Sequence, residues 1–197
     1  MVAENIPGVT GRLIRAIQQL YEALRAEKRK AWNRDLPFEE LLFDRWERAR
    51  TLGFGEGASI YHSSLVYGDV HVGEKTWIGP HTLLDGSHGL TIGSFCSISA
   101  GVHIYSHDTV QWALSGGQSP AEFDPVTIGD CTHIGAQTVI ARGVTIGDHV
   151  VIGAGSFVNR DIPSWTVAAG TPCRPIGRVE QRDDRYELVY EPKDSRS

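Results

Sequence analysis

Histidines and cysteines are the residues whose types could do chemistry, and the spacing of most of them argues against it. Cys96, Cys131 and Cys173 are an odd set without a C-x-x-C pair, which argues against a disulfide framework and against a thiolate zinc site. Cys96 falls at an inward, small-residue position of the repeat described below, so a packed thiol is favoured over an acyl-carrying nucleophile. Among the eight histidines, His107 stands apart because it lies at the root of a long excursion from an otherwise regular chain. Imidazole titrates near neutrality, so a histidine there could serve in proton transfer, although a lone histidine at a corner is more often a solvated polar residue. Asp108 is adjacent and could orient His107, although neighbouring side chains in a strand or corner diverge. His81, His88 and His103 read as solvated polar residues.

The elements that must position such a histidine are written in the glycines. There are 22 of them, spaced rather than clustered, and aliphatic residues recur beside them at a six-residue step. One run is Ile60, Val66, Val72, Ile78 and Leu84, the next is Ile92, Ile98 and Ile104, and the last is Ile128, Ile134, Ile140, Ile146, Ile152 and Val158. Glycine follows directly at Gly73, Gly79, Gly93, Gly129, Gly135, Gly147 and Gly153, and small or β-branched residues sit four positions on, as at Thr76, Thr82, Thr132 and Thr138. Neither a period of two nor one of 3.6 produces this, whereas three short strands per turn of a solenoid do. Each hexad is then one flat face plus a corner, and residue i stacks on residue i+18, Ile134 with Ile152 and Ala136 with Ala154. The predicted prism has between four and five coils and stands roughly 20–25 Å tall.

At 197 residues and 21.6 kDa the chain is about one domain long, against a prior of roughly 100–200 residues per domain. With 41% hydrophobic and 22% charged residues it can bury a core. No apolar run approaches a membrane span and the first residues are charged where a secretory signal would be apolar, so a cytoplasmic protein is expected. The net charge is −5, and residues 51–197 hold nine Lys and Arg against sixteen Asp and Glu. Such a segment is a poor counterion for phosphate backbones, and nucleic-acid binding is not expected.

Three segments are expected: helices over 1–53, the solenoid over 54–178 and a charged tail over 179–197. Leu13, Ile14, Ile17, Leu20, Tyr21 and Leu24 make residues 10–32 an amphipathic helix. A second helix is predicted from Pro37 to the residues before Gly53, burying Leu41, Leu42 and Trp46. Both are expected to cap the solenoid, a packed face being favoured over contact of the basic helix with a membrane surface. The repeat breaks between Leu84 and Ile92, read as a small bulged corner containing Asp85. It breaks again between Ile104 and Ile128, a loop spanning about 107–125 whose length inside a regular repeat points to function.

From Asp124 the sequence reads Asp-Pro-Val-Thr-Ile-Gly-Asp, then Ile134-Gly135-Ala136, Gly143-Val144-Thr145-Ile146-Gly147-Asp148, Ile152-Gly153-Ala154-Gly155-Ser156 and Ala169-Gly170-Thr171-Pro172-Cys173-Arg174. This resembles the hexapeptide-repeat acyltransferases, in the branch of the maltose, galactoside and xenobiotic acetyltransferases and the related polysaccharide O-acetyltransferases. The resemblance covers residues 60–178 and is strongest from 124 to 176. It implies an all-β, left-handed parallel β-helix; the N-terminal helical cap lies outside the resemblance.

The resemblance further implies acetyl-CoA as acyl donor, held in a groove between subunits of a homotrimer, and His107 as general base. Ala136 and Ala154 match small positions along the pantetheine arm, and Arg160 and Arg174 match basic positions near the nucleotide. Asp85 matches a carboxylate that contacts the acceptor. Trp77 stands where galactoside-type members carry an acceptor-binding asparagine, and His133 where many carry an aromatic. Trp112 in the excursion offers an indole face to a sugar ring or anchors the loop. The implied reaction is O-acetylation of a sugar or glycan hydroxyl, with N-acetylation of an amino sugar as the nearest alternative. A zinc hydratase resembling the γ-carbonic anhydrases, using His81, His103 and His107, would leave the coenzyme-side motifs unexplained, so no metal is expected.

Overall fold

A computed structural model describes residues 9–191. The first eight residues of the predicted helical segment and the last six of the predicted tail lie outside the described residues. From Ser59 onward the chain winds as a parallel β-solenoid of three faces. The first face stacks Ile60, Ile78, Ile98, Ile134, Ile152 and Ala168, each on the next in parallel register. The second stacks Val66, Leu84, Ile104, Ile140 and Val158, and the third Val72, Ile92, Ile128 and Ile146, closed by a bridge to Ile162. The i+18 stacking of Ile134 with Ile152 holds. Ile162 and Ala168 carry the winding beyond the predicted run, because Pro163 and Trp165 replace the glycine punctuation there while the backbone still turns.

Most rungs of the coils are two-residue strands, so one side chain faces out and the next faces in. His133 is exposed while Ile134 is fully buried, and Ile60, Leu84, Ile104, Ile140 and Ile152 are equally inaccessible. Burying each contributes about 1.5–3 kcal/mol. Buried hydroxyls join the coils: Thr76 donates to the Gly93 carbonyl at 2.7 Å, Thr132 to Gly147 at 3.0 Å and Thr138 to Gly153 at 3.2 Å. This gives the small β-branched position of the hexad its polar task. Gly135 is required by close approach, since a Cβ there would lie 2.5 Å from the Ala154 nitrogen.

The expected bulge is present. Leu83–Ile92 forms one strand that turns the corner between the second and third faces, with a register shift against Leu65–Val72. The excursion is ordered as well: His107–Asp108 pairs antiparallel with Glu122–Phe123, and a short helix, Val110–Leu114, lies between them.

The helical segment departs from expectation in two ways. The helix Val9–Trp32 forms, but Leu13, Ile17 and Leu20 are 58%, 42% and 43% exposed rather than packed. The single helix predicted after Pro37 is two, Phe38–Leu42 and Arg45–Thr51, with Phe43 extended between them. Asp44 falls at the N-cap position of the second, followed three residues later by Glu47, a start signal that interrupts the first. Leu42 and Trp46, expected in the core, are exposed, and the Trp46 ring instead lies under the Arg45 guanidinium at 4.1 Å.

Residues up to Asp44 and residues from Arg45 onward form two compact units. In the first, Tyr21 packs edge-on against Phe38, and Arg25 and Arg29 both pair with Asp35. In the second, Arg45–Thr51 closes the open end of the solenoid: Ala49 is buried, and Arg48 donates to the carbonyls of Tyr61 and Ser64. At the other end the charged tail is a structural element. Arg174–Arg182 pairs antiparallel with Thr166–Ala169, and Arg185–Tyr190 pairs with it in turn, so a hairpin covers the last edge of the first face. Among the described residues no helix is long and apolar enough to cross a membrane.

Candidate active site

His107 stands at the corner between the second and third faces, where the chain leaves the coil after Ile104. Its Nδ1 lies 2.5 Å from Oδ2 of Asp85 in the preceding coil. The Asp85 side chain is 1% exposed, against 36% for His107. The other acceptor positions of this carboxylate are filled. Oδ1 accepts the Ser87 hydroxyl at 2.5 Å and the Ser87 amide at 3.0 Å, and Oδ2 accepts the Ser106 amide at 3.1 Å.

Burial pushes the Asp85 carboxyl up, but the Ser87 hydroxyl and amide, His107 and the Ser106 amide outweigh it, so the group is held below the usual carboxylate range. An ionised carboxylate only accepts, which assigns the shared proton to Nδ1 of His107 and leaves Nε2 as the free lone pair. The arrangement is a base with its second nitrogen anchored, able to take a proton at one defined atom. Asp85, expected to contact the acceptor, is buried and bonded to His107, Ser87 and Ser106.

Asp108, the adjacent candidate for orienting the imidazole, turns away as neighbouring side chains in a strand do: its carboxylate meets Arg142 Nε at 2.6 Å and the Val110 amide at 3.0 Å. Sequence reasoning missed Phe123, whose ring stacks on His107 with centroids 5.8 Å apart and planes 24° from parallel, and which meets His88 on a tilted contact. It also missed Ser87, Ser106 and Arg142. The Leu84–Ile104 register was the available signal for the first two, since it sets the Asp85 corner beside Ser106 and His107.

The remaining candidates are spread over the solenoid. Ala136 and Ala154 stack at the corner between the first and second faces, where the Gly155 amide donates to the Ala136 carbonyl at 2.8 Å. Ala154 is exposed, Ala136 half-buried, and a Cβ on Gly155 would meet nothing within 4 Å, so this corner is open to solvent. Arg160 is exposed at the corner after Val158, and Arg174 is half-buried, donating to the Cys173 carbonyl at 2.6 Å. Trp77 is 65% exposed on the first face, away from the His107 corner. Trp112 is 52% exposed in the excursion helix, where its carbonyl receives the Gly117 amide at 2.8 Å. Within one chain, the alanine corner and the His107 corner are therefore different edges of the prism. Cys96 is buried and its thiol is pushed up by that burial, as a packed side chain would be. Among the described residues no three His, Cys, Asp or Glu side chains cluster as metal ligands.

The family model for bacterial transferase hexapeptide repeats (six repeats) matches residues 125–160. Over 119 residues the chain is 38% identical to galactoside O-acetyltransferase of Escherichia coli K12, a match covering 60% of this chain and 58% of that enzyme. The chain spans less than two thirds of the length of the curated relatives it matches. Its fold is similar to the hexapeptide-repeat acetyltransferase VCA0836 of Vibrio cholerae, complexed with acetyl coenzyme A, at 25% identity and a TM-score of 0.55, covering 92% of this chain and 96% of that one. It is also similar in fold to AntD, an N-acyltransferase of Bacillus cereus, at 24% identity and a TM-score of 0.56, covering 69% and 90% of the two chains. Residues 125–160 thus match the hexapeptide repeat of bacterial transferases, and the solenoid is similar in fold to hexapeptide-repeat acetyltransferases.

Proposed function

We propose that this protein is an acetyl-CoA-dependent O-acetyltransferase acting on a sugar or glycan hydroxyl, with His107 as general base. The observation that carries the reading is the 2.5 Å contact between His107 Nδ1 and the buried Asp85 carboxylate, at the root of the excursion. A hydroxyl is too weakly acidic to attack a thioester unaided, so Nε2 takes its proton as the new C–O bond forms. The imidazolium that results is stabilised by Asp85, and Nε2 returns the proton to the departing sulfur. Acetyl-CoA, when bound, supplies the acetyl group as a thioester.

The alanine corner fits the donor's narrow arm. Ala136 and Ala154 leave room for it, and Arg160 and Arg174 offer cations to its phosphates. Because that corner and His107 lie on different edges of one prism, a complete site is built between neighbouring copies, which supports a homotrimer. Four of the five outward side chains of the second face, Leu65, Leu83, Val139 and Phe157, are apolar, with His103 between Leu83 and Val139, and suit such a contact. Trp112, and Trp77 across the subunit boundary, present indole faces to the apolar side of a sugar ring.

The test is thiol release from acetyl-CoA across a panel of neutral sugars, oligosaccharides and amino sugars. Release with hydroxyl acceptors is expected. Release with amino sugars alone would replace O- by N-acetylation, and acetyl-CoA binding without transfer to any acceptor would contradict the enzyme reading.

A further inference from the structure

Both legs of the excursion that carries His107 meet one side chain of the solenoid. Arg142, at the corner after Ile140 and 25% exposed, reaches three carboxylates with three nitrogens. Nε meets Asp108 at 2.6 Å, Nη2 meets Glu122 at 2.6 Å, and Nη1 pairs with Asp124. Asp108 belongs to the outgoing leg of the excursion, whereas Glu122 and Asp124 belong to the returning leg. Asp108 and Glu122 are also direct cross-strand partners in the two-residue ladder that closes the loop, as are His107 and Phe123.

Like charges opposite each other on paired strands repel, and a ladder this short has little stability of its own. A guanidinium between the two legs reverses the sign of that interaction, and only its planar fork serves three carboxylates at once. Every residue it grips adjoins a residue of the base: Asp108 follows His107, and Glu122 and Asp124 flank Phe123, whose ring lies on the imidazole. We propose that Arg142 is a positioning residue for His107, holding the two legs of the excursion together so that Phe123 and Asp85 fix the imidazole from two sides. The inference rests on the reading of His107 as the base.

The test compares Arg142→Ala and Arg142→Lys with the unsubstituted full-length protein, using ¹⁵N-histidine labelling and steady-state kinetics. The short His107–Asp85 contact predicts a far-downfield Nδ1–H resonance, identified by its loss in His107→Gln. In Arg142→Ala that resonance should move upfield or broaden by exchange with water. With the hydroxyl acceptor that gives thiol release, kcat should fall about 10- to 100-fold while KM for acetyl-CoA stays within about twofold. Arg142→Lys, which keeps the charge but not the fork, should fall between the two and provides the measurement if the alanine variant does not fold. Wild-type resonance and kcat in both variants, or a loss of thermal stability with kcat per folded site unchanged, would overturn the role of Arg142 alone. Absence of the resonance from the unsubstituted protein would overturn the His107–Asp85 pair and, with it, the reading on which this inference stands.

Discussion

Oδ2 of Asp85 lies 2.5 Å from Nδ1 of His107, joining a buried carboxylate in one coil to a part-exposed imidazole at the corner of the next. The chain separation is short because the solenoid returns after about one turn. The contact therefore follows from winding rather than from a local motif, and it sets both the tautomer and the direction of the base.

Replacing the carboxylate tests this assignment. Asp85→Asn retains shape but removes the charge that stabilises the imidazolium, so kcat should fall roughly 10- to 100-fold with KM for acetyl-CoA little changed. A rise confined to the acceptor's KM, measured by the same thiol-release assay, would return Asp85 to acceptor binding.

The depressed Asp85 pKa also makes stability depend on pH. Its ordinary value is 3.8 and its folded value is lower, so the stabilisation is fully present above the unfolded value and is lost as pH falls through the folded one. The difference in thermal stability between the wild type and Asp85→Asn should therefore shrink as pH falls from the unfolded value of 3.8 through the lower folded one. A gap that widened on acidification would show the opposite sign and a raised folded value.

At the corner proposed for the donor, Ala154→Leu fills exposed space rather than core. It should raise KM for acetyl-CoA about tenfold or more while leaving the unfolding temperature within about 2 °C. Arg174→Ala should weaken coenzyme A binding more at low salt than at high salt, because a phosphate partner is lost. Titration calorimetry of both variants checks the pair, and unchanged affinities would move the donor away from this edge.

The rungs were legible because each inward aliphatic is paired with a glycine or small residue; Ile134 and Ile152 stack as their spacing requires. Ile162 and Ala168 were not, since Pro163 and Trp165 break the punctuation while leaving the backbone turn intact. The closing hairpin from Arg174 to Tyr190 carries no hexad because antiparallel strands need none. Leu42 and Trp46 misled because apolar residues in a helical segment do not reveal whether a neighbour covers them. His107 was marked by its place at the loop root, but the partner choice between Asp85 and Asp108 depended on register across a bulge. Arg142 left no signal at all, because its three carboxylates converge only when the excursion folds back.

The central claim is that His107 Nε2 removes the acceptor's proton. The direct measurement is acetyl transfer by His107→Ala at saturating acetyl-CoA and acceptor, beside coenzyme A binding by the same preparation. A fall in kcat of roughly 10²–10⁴ with coenzyme affinity and subunit assembly unchanged is expected. Turnover within a few-fold of the wild type would contradict the account.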